Sequence, residues 1–165
     1  MMPDHDCPYT WSIARTKGLT SDQTAFLFKL LHQLLPTRER ISRITNEQGL
    51  CRMCGHASED LLHALFTCTE SKATADQLLS YVHVTVPRLS PPGLLRLDLG
   101  SELDETDLLA TLCIISTGLK YIWQARADKK RILQYKMRAE LESIISILRK
   151  TRFSKSADRM LEMII

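Results

Sequence analysis

The sequence predicts an all-α protein in which a helical domain carries a small Cys/His knuckle and is followed by a long C-terminal helix or a helical hairpin. Three observations predict this class. Apolar residues recur every three to four positions through most of the chain, capping residues precede several of these segments, and the alternation typical of strands is nearly absent. A chain of 165 residues is long enough to bury one core.

Composition indicates a globular chain in a reducing compartment. Hydrophobic residues make up 44% and charged residues 25% of the sequence, both ordinary values for a soluble domain. No run approaches about 18 consecutive apolar residues, so we expect no membrane partner. The acidic N-terminus lacks the apolar stretch of a secretory signal. We therefore expect an intracellular protein, nuclear or cytoplasmic, in which clustered cysteines bind metal rather than form disulfides.

The predicted organisation has three parts: a lead-in segment, residues 1–19; a zinc-binding helical domain, residues 20–100; and a long basic helical C-terminal region packed on it, residues 101–165. Residues 1–119 carry four more Asp and Glu than Lys and Arg, whereas residues 120–165 carry seven more Lys and Arg. A basic tail is compatible with a polyanionic partner. A solvated helical face would explain it equally well.

Two helices are predicted before the knuckle. Thr20 caps the first, with Gln23 three positions later as a capping box requires, and Pro36 ends it. Thr37 caps a short basic helix with the sequence TRERISRIT.

Three further caps divide the rest of the helical domain. Ser58 is expected to cap the helix that carries His63, and Ser71 to cap a helix running to about Tyr81. Ser90, followed by a proline, is expected to cap a single helical turn.

The C-terminal region starts with a helix capped by Asp104. Its apolar stripe consists of Leu108, Leu112, Ile115, Leu119 and Ile122. Periodicity resumes after the charged stretch RADKKR, which contains no glycine or proline, so either one helix spans residues 104–150 or two helices meet near residue 130. A final short helix, SADRMLEMII, is expected to fold back onto the others.

The stretch CRMCGHASEDLLHALFTC, residues 51–68, holds three of the five cysteines and two of the five histidines. Cys51 and Cys54 are separated by two residues, a spacing that lets a tight turn aim both sulfurs at one point. Gly55 relieves the backbone where it curls around a metal. This arrangement is typical of the first half of a zinc site.

The second half of the site is predicted to supply His63 and Cys68 from a short helix. Five residues on an α-helix correspond to about 140° of rotation, so the two side chains cannot meet on an unbroken helix. We expect the helix to loosen after Phe66. The four ligands then form a Cys3His knuckle around one structural Zn²⁺, because four protein ligands leave no open coordination position.

Three other interpretations of this stretch stay open at the level of sequence. A redox Cys-x-x-Cys pair usually opens a helix after a strand, and no such strand is predicted. Buried cysteines can pack as small hydrophobic residues, although three cysteines and a histidine at these intervals favour a metal. His56 would replace His63 as a ligand only if the chain formed a sharp loop directly after Cys54, so His63 is preferred.

The stretch FLFKLLHQLLPTRERISRI, followed by CRMCGHASEDLLHALFTC, resembles the zinc-binding domain C-terminal to the reverse transcriptase of non-LTR retrotransposons. In that family an apolar helix, an LPT-R element and a short basic helix precede a C-x2-C-G…E…H-x4-C motif. The matching residues are Leu35, Pro36, Thr37, Arg38, Cys51, Cys54, Gly55, Glu59, His63 and Cys68. The resemblance covers roughly residues 10–80.

No catalytic activity is expected of the chain by itself. The Tyr-x-Asp-Asp type sequence of the polymerase is absent, so the chain is predicted to be a fragment or an independently expressed derivative of such an element. A restriction-like nuclease would need acidic residues that hold a divalent metal. The nearest candidates are Asp98, Glu102, Asp104 and Asp107, of which the last two are better explained as a helix N-terminus.

Basic residues are the candidate contacts to nucleic acid. They are Arg38, Arg40, Arg43 and Arg52 around the knuckle, and Lys129, Lys130, Arg131, Arg149, Lys150 and Arg152 in the tail. Such side chains contact phosphates and confer little sequence preference. The leading prediction is therefore a zinc-stabilised domain that binds RNA or DNA non-specifically and positions it for a polymerase.

A protein-interaction module is the alternative prediction. Leu141, Ile144, Ile145 and Leu148 form a stripe on one helix face. That stripe could pair with a second copy of the chain or with a reverse transcriptase core. The basic residues named above would then face solvent and would not contact nucleic acid.

Overall fold

The computed structural model describes residues 12–165, which are mostly helical. The helices are α1 (Ser21–Leu31), α2 (Arg38–Thr45), α3 (Thr69–Val82), α4 (Pro91–Leu95), α5 (Glu105–Ala127), α6 (Gln134–Leu148) and α7 (Ser154–Ile164), and a π-helical segment, His63–Thr67, precedes α3. These residues contain no strand, only an isolated antiparallel bridge between Leu50 and Ser58. The predicted all-α class is confirmed. Residues 1–11 of the predicted lead-in lie outside the described residues.

The central element is α5, against which α1, α3, α6 and α7 all pack. Every residue from Leu109 to Leu119 is buried, because this stretch is almost entirely apolar or small and can be enclosed on all sides. Within residues 12–165, α5 alone is long and apolar enough to cross a membrane, yet 72% of its apolar window lies inside the bundle. Its burial makes it the core helix of this fold.

α3 and α5 approach each other closely at Gly118. A Cβ atom on Gly118 would stand only 2.5 Å from Cδ1 of Leu78, which is itself fully buried. The two backbones can therefore come this close only because position 118 has no side chain.

The C-terminal region is a helical hairpin followed by α7, which decides between one long helix and two. α5 ends at Ala127, and Lys129 adopts a left-handed conformation with φ of 52°. The N–H of Leu133 then donates to the Tyr121 hydroxyl at 3.0 Å, which fixes the turn. α6 folds back along α5 and buries its apolar face, namely Met137, Leu141, Ile145 and Leu148.

The packing of α6 affects the alternative prediction, in which the apolar stripe of this helix pairs with another chain. Leu141, Ile145 and Leu148 are buried within the chain's own core, and Ile144 is partly buried against it. The stripe is therefore not a free surface for another helix. One core joins side chains from both predicted regions, including Leu65, Leu78, Leu112, Leu141 and Met160.

Four predicted helix starts are confirmed. The side chains of Thr20, Thr37, Ser90 and Asp104 each accept a hydrogen bond from a first-turn backbone N–H, and Gln23 completes the capping box at Thr20.

Two predicted boundaries are wrong. α1 ends five residues before Pro36, because Gln33 adopts a left-handed φ of 52° and turns the chain early. α3 starts two residues before Ser71. The Ser71 hydroxyl donates instead to the carbonyl of Ala64 at 2.9 Å, and so ties α3 to the π-helical segment.

Candidate metal centre

Three thiols and one imidazole converge between the knuckle and the π-helical segment. The ligand atoms of Cys51, Cys54, His63 and Cys68 all lie within 4.8 Å of one another. The Sγ atoms of Cys51 and Cys68 are 3.7 Å apart, and Cys54 Sγ lies 3.4 Å from His63 Nε2. Around a tetrahedral zinc ion the corresponding distances are about 3.8 Å between sulfurs and about 3.6 Å between sulfur and nitrogen. The cluster could therefore bind a metal ion.

A tight turn brings the first two cysteines together. The N–H of Gly55 donates to the carbonyl of Cys51 at 2.9 Å, and Gly55 has a φ of 70°, which glycine adopts without steric cost. The N–H of Cys51 donates to the carbonyl of Ala57 at 2.8 Å, which closes the loop. Cys54 is thereby held on the same side of the turn as Cys51.

The segment leading to His63 differs from the prediction in its cap. Ser58 does not cap a helix, because it pairs with Leu50 in the isolated bridge. Asp60 takes that role, since its Oδ1 accepts a hydrogen bond from the N–H of His63 at 2.6 Å.

The π-helical winding explains how two ligands five residues apart face one point. The N–H of Cys68 donates to the carbonyl of His63 at 2.9 Å, an i→i+5 bond. This wider turn returns the fifth residue to nearly the same face, unlike an α-helix. The predicted loosening is thus present, but it begins at His63 and not after Phe66. Thr67 Oγ1 lies 3.3 Å from His63 Nδ1 and orients the ring so that Nε2 points to the sulfurs.

A rival ligand, His56, and a further cysteine, Cys113, stand apart from the cluster. His56, the rival ligand, is exposed and does not belong to the group of converging ligand atoms. Cys113 is fully buried in α5, and burial raises the pKa of its thiol to about 12. The described cysteines are free thiols.

A buried ion pair lies directly beside the cluster. Glu59 has no exposed surface, and its carboxylate pairs with Arg126 at 2.9 Å and with Arg52 at 3.2 Å. It also accepts backbone N–H bonds from Arg38 at 3.1 Å and Arg52 at 3.0 Å. Nη2 of Arg126 donates to Cys51 Sγ at 3.0 Å. Because Arg126 stands at the end of α5, this network ties the knuckle to the central helix.

Arg126 is the functional residue that sequence reasoning missed. It is only 1% exposed, yet it stands in the charged stretch RADKKR, which is typical of a solvated surface. A buried arginine is rare unless it is paired, and its partner Glu59 lies 67 positions earlier in the chain. No local pattern could have identified the pair, although the resemblance did single out Glu59.

The electrostatics of the site favour an ionised sulfur. Burial raises the pKa of Cys51, but hydrogen bonds from backbone N–H groups and from Arg126 outweigh it and bring the pKa to about 6. A backbone hydrogen bond lowers the pKa of Cys54, but burial and the neighbouring sulfurs leave it raised. Burial opposes ionisation of Glu59, yet hydrogen bonds and charge from Arg52 hold its pKa below the usual value. Cys51 is therefore mostly thiolate, the form that binds metal, at neutral pH.

Half of the ten predicted nucleic-acid contacts are paired with carboxylates. The ion pairs are Arg38–Glu47, Arg43–Glu39, Arg52–Glu59, Lys130–Asp128 and Arg149–Asp158. The five others have no carboxylate partner within residues 12–165, namely Arg40, Lys129, Arg131, Lys150 and Arg152. Most of these pairs are exposed, and such pairs are weak enough to open for a phosphate.

The structure does not gather these residues into one patch. Lys129 and Arg131 follow the C-terminal end of α5, three and five residues after Arg126, whose side chain contacts Cys51. Arg152 lines a cavity with Glu105 at the opposite end of α5. At 1.5 Å per residue, the two ends of this helix are about 30 Å apart.

Three of the four acidic residues that were candidates for a nuclease site have structural contacts. Asp104 caps α5, and ion pairs join Asp98 to Arg96 and Asp107 to Arg159. A restriction-like nuclease also needs an Asp-x-Lys or Glu-x-Lys sequence to hold its metal. Residues 128–130 have the sequence Asp-Lys-Lys, but they lie in the turn after α5, where Asp128 pairs with Lys130 itself. In the part of the chain that the structure describes, Cys3His is the one group of three or more ligands that could hold a metal.

No protein-family model matches the chain, and no curated protein and no solved structure matches it. The resemblance to the retrotransposon domain therefore depends on the sequence motif alone.

Proposed function

We propose that the chain is a zinc-stabilised helical domain that binds RNA or DNA through the phosphate backbone, without sequence preference and without catalytic activity of its own. One observation carries this proposal. Lys129 and Arg131 are exposed, have no carboxylate partner within residues 12–165, and lie three and five residues after Arg126, which contacts Cys51 of the Cys/His cluster. Cations in such a setting are available to phosphates.

The turn that carries these cations is anchored at the metal centre. The N–H of Lys129 donates to the carbonyl of Arg126 at 3.0 Å, and the N–H of Lys130 donates to the carbonyl of Ala125 at 2.8 Å. Arg126 in turn contacts Cys51. A metal bound by Cys51 would therefore fix the position of the cations, which lowers the entropy lost when a polyanion binds.

The donor set supports zinc as the metal. Thiolate and imidazole ligands at tetrahedral spacing suit Zn²⁺, and four protein ligands are typical of a structural ion. Three thiolates leave a zinc ion with one net negative charge. The Glu59 carboxylate and the guanidiniums of Arg52 and Arg126 would bring the whole assembly to neutrality, which makes its burial less costly.

The resemblance to the domain C-terminal to non-LTR reverse transcriptases supports the choice of nucleic acid as partner. By that likeness the chain would hold template RNA or target DNA for a reverse transcriptase core, inside the nucleus or the cytoplasm.

A salt titration tests the proposal. We would measure the fluorescence anisotropy of labelled single-stranded RNA and duplex DNA at several salt concentrations, with zinc-loaded protein. The test variant removes three cations at the metal end: Lys129→Ala, Lys130→Ala and Arg131→Ala. The control removes three exposed cations from elsewhere, one of them paired with an aspartate as Lys130 is: Lys29→Ala, Arg88→Ala and Arg96→Ala.

The expected result is a specific loss of salt dependence. For single strands each phosphate contact contributes about −0.7 to the slope of log Kobs against log salt, so the test variant should flatten the slope by about 2. The control loses the same net charge and should change the slope much less. Absence of binding at low salt, or equal effects of the two triple variants, would refute the proposal.

A further inference from the structure

We infer that the cavity between the N-terminal ends of α5 and α7 binds the phosphate group of a nucleotide, either free or at the end of a strand. The cavity has a volume of about 610 Å³. Its walls come from the loop before α1, the first turn of α5 and the start of α7. The phosphate site is independent of the metal centre, and only the choice of a nucleotide as the phosphate ester rests on the proposed function.

The cavity has an excess of positive charge. Lys17, Arg152 and Lys155 line it, and none of the three has a carboxylate partner among residues 12–165. Glu105 is the single acidic residue in the lining. Two uncompensated positive charges in a concave site attract a phosphate more strongly than scattered surface cations do.

A buried hydroxyl adds a neutral donor. Ser156 lines the cavity although it is only 4% exposed. Its hydroxyl is not one of the fully enclosed side-chain atoms that lack a partner, so the oxygen opens onto the cavity that the residue lines, where it can donate a hydrogen bond. A phosphate oxygen in the cavity would accept that bond.

The start of α7 offers further donors to the same point. α7 has 11 residues, and no side chain caps its N-terminus. The first-turn N–H groups of such a helix are unsatisfied and favour an anion. Ser156 and Lys155 belong to this first turn. The backbone N–H groups, the Ser156 hydroxyl and the Lys155 ammonium group therefore lie at the same end of α7, next to the cavity.

Part of the cavity lining is apolar. It contains Leu108, Leu109 and Phe153, and the loop carrying Lys17 packs tightly on it. A Cβ on Gly18 would lie 2.6 Å from Cδ2 of Leu109 and 3.2 Å from Cδ2 of Phe153. The cavity is several times larger than a phosphate ion, so this apolar part can receive the organic part of the ester.

Calorimetric titration of the zinc-loaded full chain at low salt would test the inference. The probes are adenosine monophosphate, adenosine and inorganic phosphate, followed by an RNA oligonucleotide with a 5′-phosphate and the same oligonucleotide with a 5′-hydroxyl. The variants are Arg152→Ala combined with Lys155→Ala, Glu105→Gln, and Lys136→Ala as a control outside the cavity. All four positions are exposed, and thermal melts would check that each variant stays folded.

Adenosine monophosphate should bind and adenosine should not. The double variant should weaken binding at least about tenfold, since charge-assisted hydrogen bonds are lost. Glu105→Gln should strengthen binding, because it removes the one opposing charge, and Lys136→Ala should leave it unchanged.

The oligonucleotides identify the source of the phosphate. If the 5′-phosphate tightens oligonucleotide binding and the double variant abolishes that gain, the ligand is a strand end. If only adenosine monophosphate responds to the double variant, the ligand is a free nucleotide. If neither the mononucleotide nor phosphate binds, or the double variant binds like the parent, the inference is wrong. That outcome leaves the proposed function standing, because binding of the 5′-hydroxyl strand depends on the cations at the metal end.

Discussion

Arg126 provides the sharpest test of the metal centre, because its hydrogen bond to Cys51 should contribute more when the sulfur is a metal-bound thiolate. It pairs with buried Glu59 and donates to Cys51 Sγ. Its Nε and Nη1 are buried without a hydrogen-bond partner. Bound metal would stabilise the thiolates, to which a guanidinium is the natural donor. We expect Arg126→Met to weaken zinc binding far more than it destabilises the metal-free fold.

The magnitude follows from two opposing effects. Removing one partner of a buried ion pair costs about 3–5 kcal/mol. Glu59 keeps Arg52 as a partner, so about 3 kcal/mol is the appropriate figure. Methionine also deletes two unsatisfied buried donors, each of which costs about 1–3 kcal/mol. In the metal-free chain these effects nearly cancel. Both effects are also present with zinc bound, so they cancel from the zinc affinity. What changes the affinity is the hydrogen bond from Arg126 to the Cys51 thiolate that would bind zinc. A charge-assisted hydrogen bond contributes about 1.5–3 kcal/mol, which corresponds to about 10- to 100-fold weaker zinc binding.

Competition with a chromophoric chelator at pH 7 would give the zinc dissociation constants of the parent and the variant, and urea unfolding would give the stability of each form. Arg138→Met is the matched control, since Arg138 forms only an exposed pair with Glu142. Exposed pairs of this kind contribute about 0.5 kcal/mol or less, so the control should bind zinc like the parent. If Arg126→Met binds zinc as tightly as the parent, or destabilises both forms equally, our account of the buried pair is wrong.

Three further outcomes are expected. Cys54→Ser should weaken zinc binding at least about 100-fold and lower the melting temperature of the zinc-loaded protein; an unchanged melt would exclude a metal role. Gly118→Ala should cost about 1–3 kcal/mol in urea unfolding through its clash with Leu78, whereas Ser143→Ala on the exposed face of α6 should cost almost nothing. Burial raises the pKa of Cys113 from 9.0 to about 12. Its stabilising contribution is therefore complete below pH 9 and lost as the pH rises towards 12, so Cys113→Ala should lose less stability between pH 9 and 11 than the parent.

The sequence predicts those features that short-range chemistry determines. Caps at Thr20, Thr37, Ser90 and Asp104 follow from side-chain oxygens that bond to the backbone a few residues away. The ligand set likewise follows from cysteine and histidine spacing, and five-residue separation already required a distorted helix. That the distortion is a π-helical turn could not be foreseen, because it depends on packing of Ala64, Leu65 and Phe66 into the core.

Features that depend on residues far apart in the chain could not be predicted from local sequence patterns. Lys129 adopts a left-handed conformation without being Gly or Asn, so no residue signals the end of α5. The turn is dictated instead by the apolar face of α6, which is buried only if the chain reverses there. Arg126 likewise has the pattern of a surface residue until Glu59 is placed next to it.

The core helix α5 sets the distance between two groups of cations. Lys129 and Arg131 follow its C-terminal end, and the cavity that we infer to bind phosphate lies at its N-terminal end, about 30 Å away. A polyanion that reaches both must span that distance, which equals about nine base steps of duplex at 3.4 Å each. Under the two proposals, a strand shorter than this would contact only one of the two groups at a time.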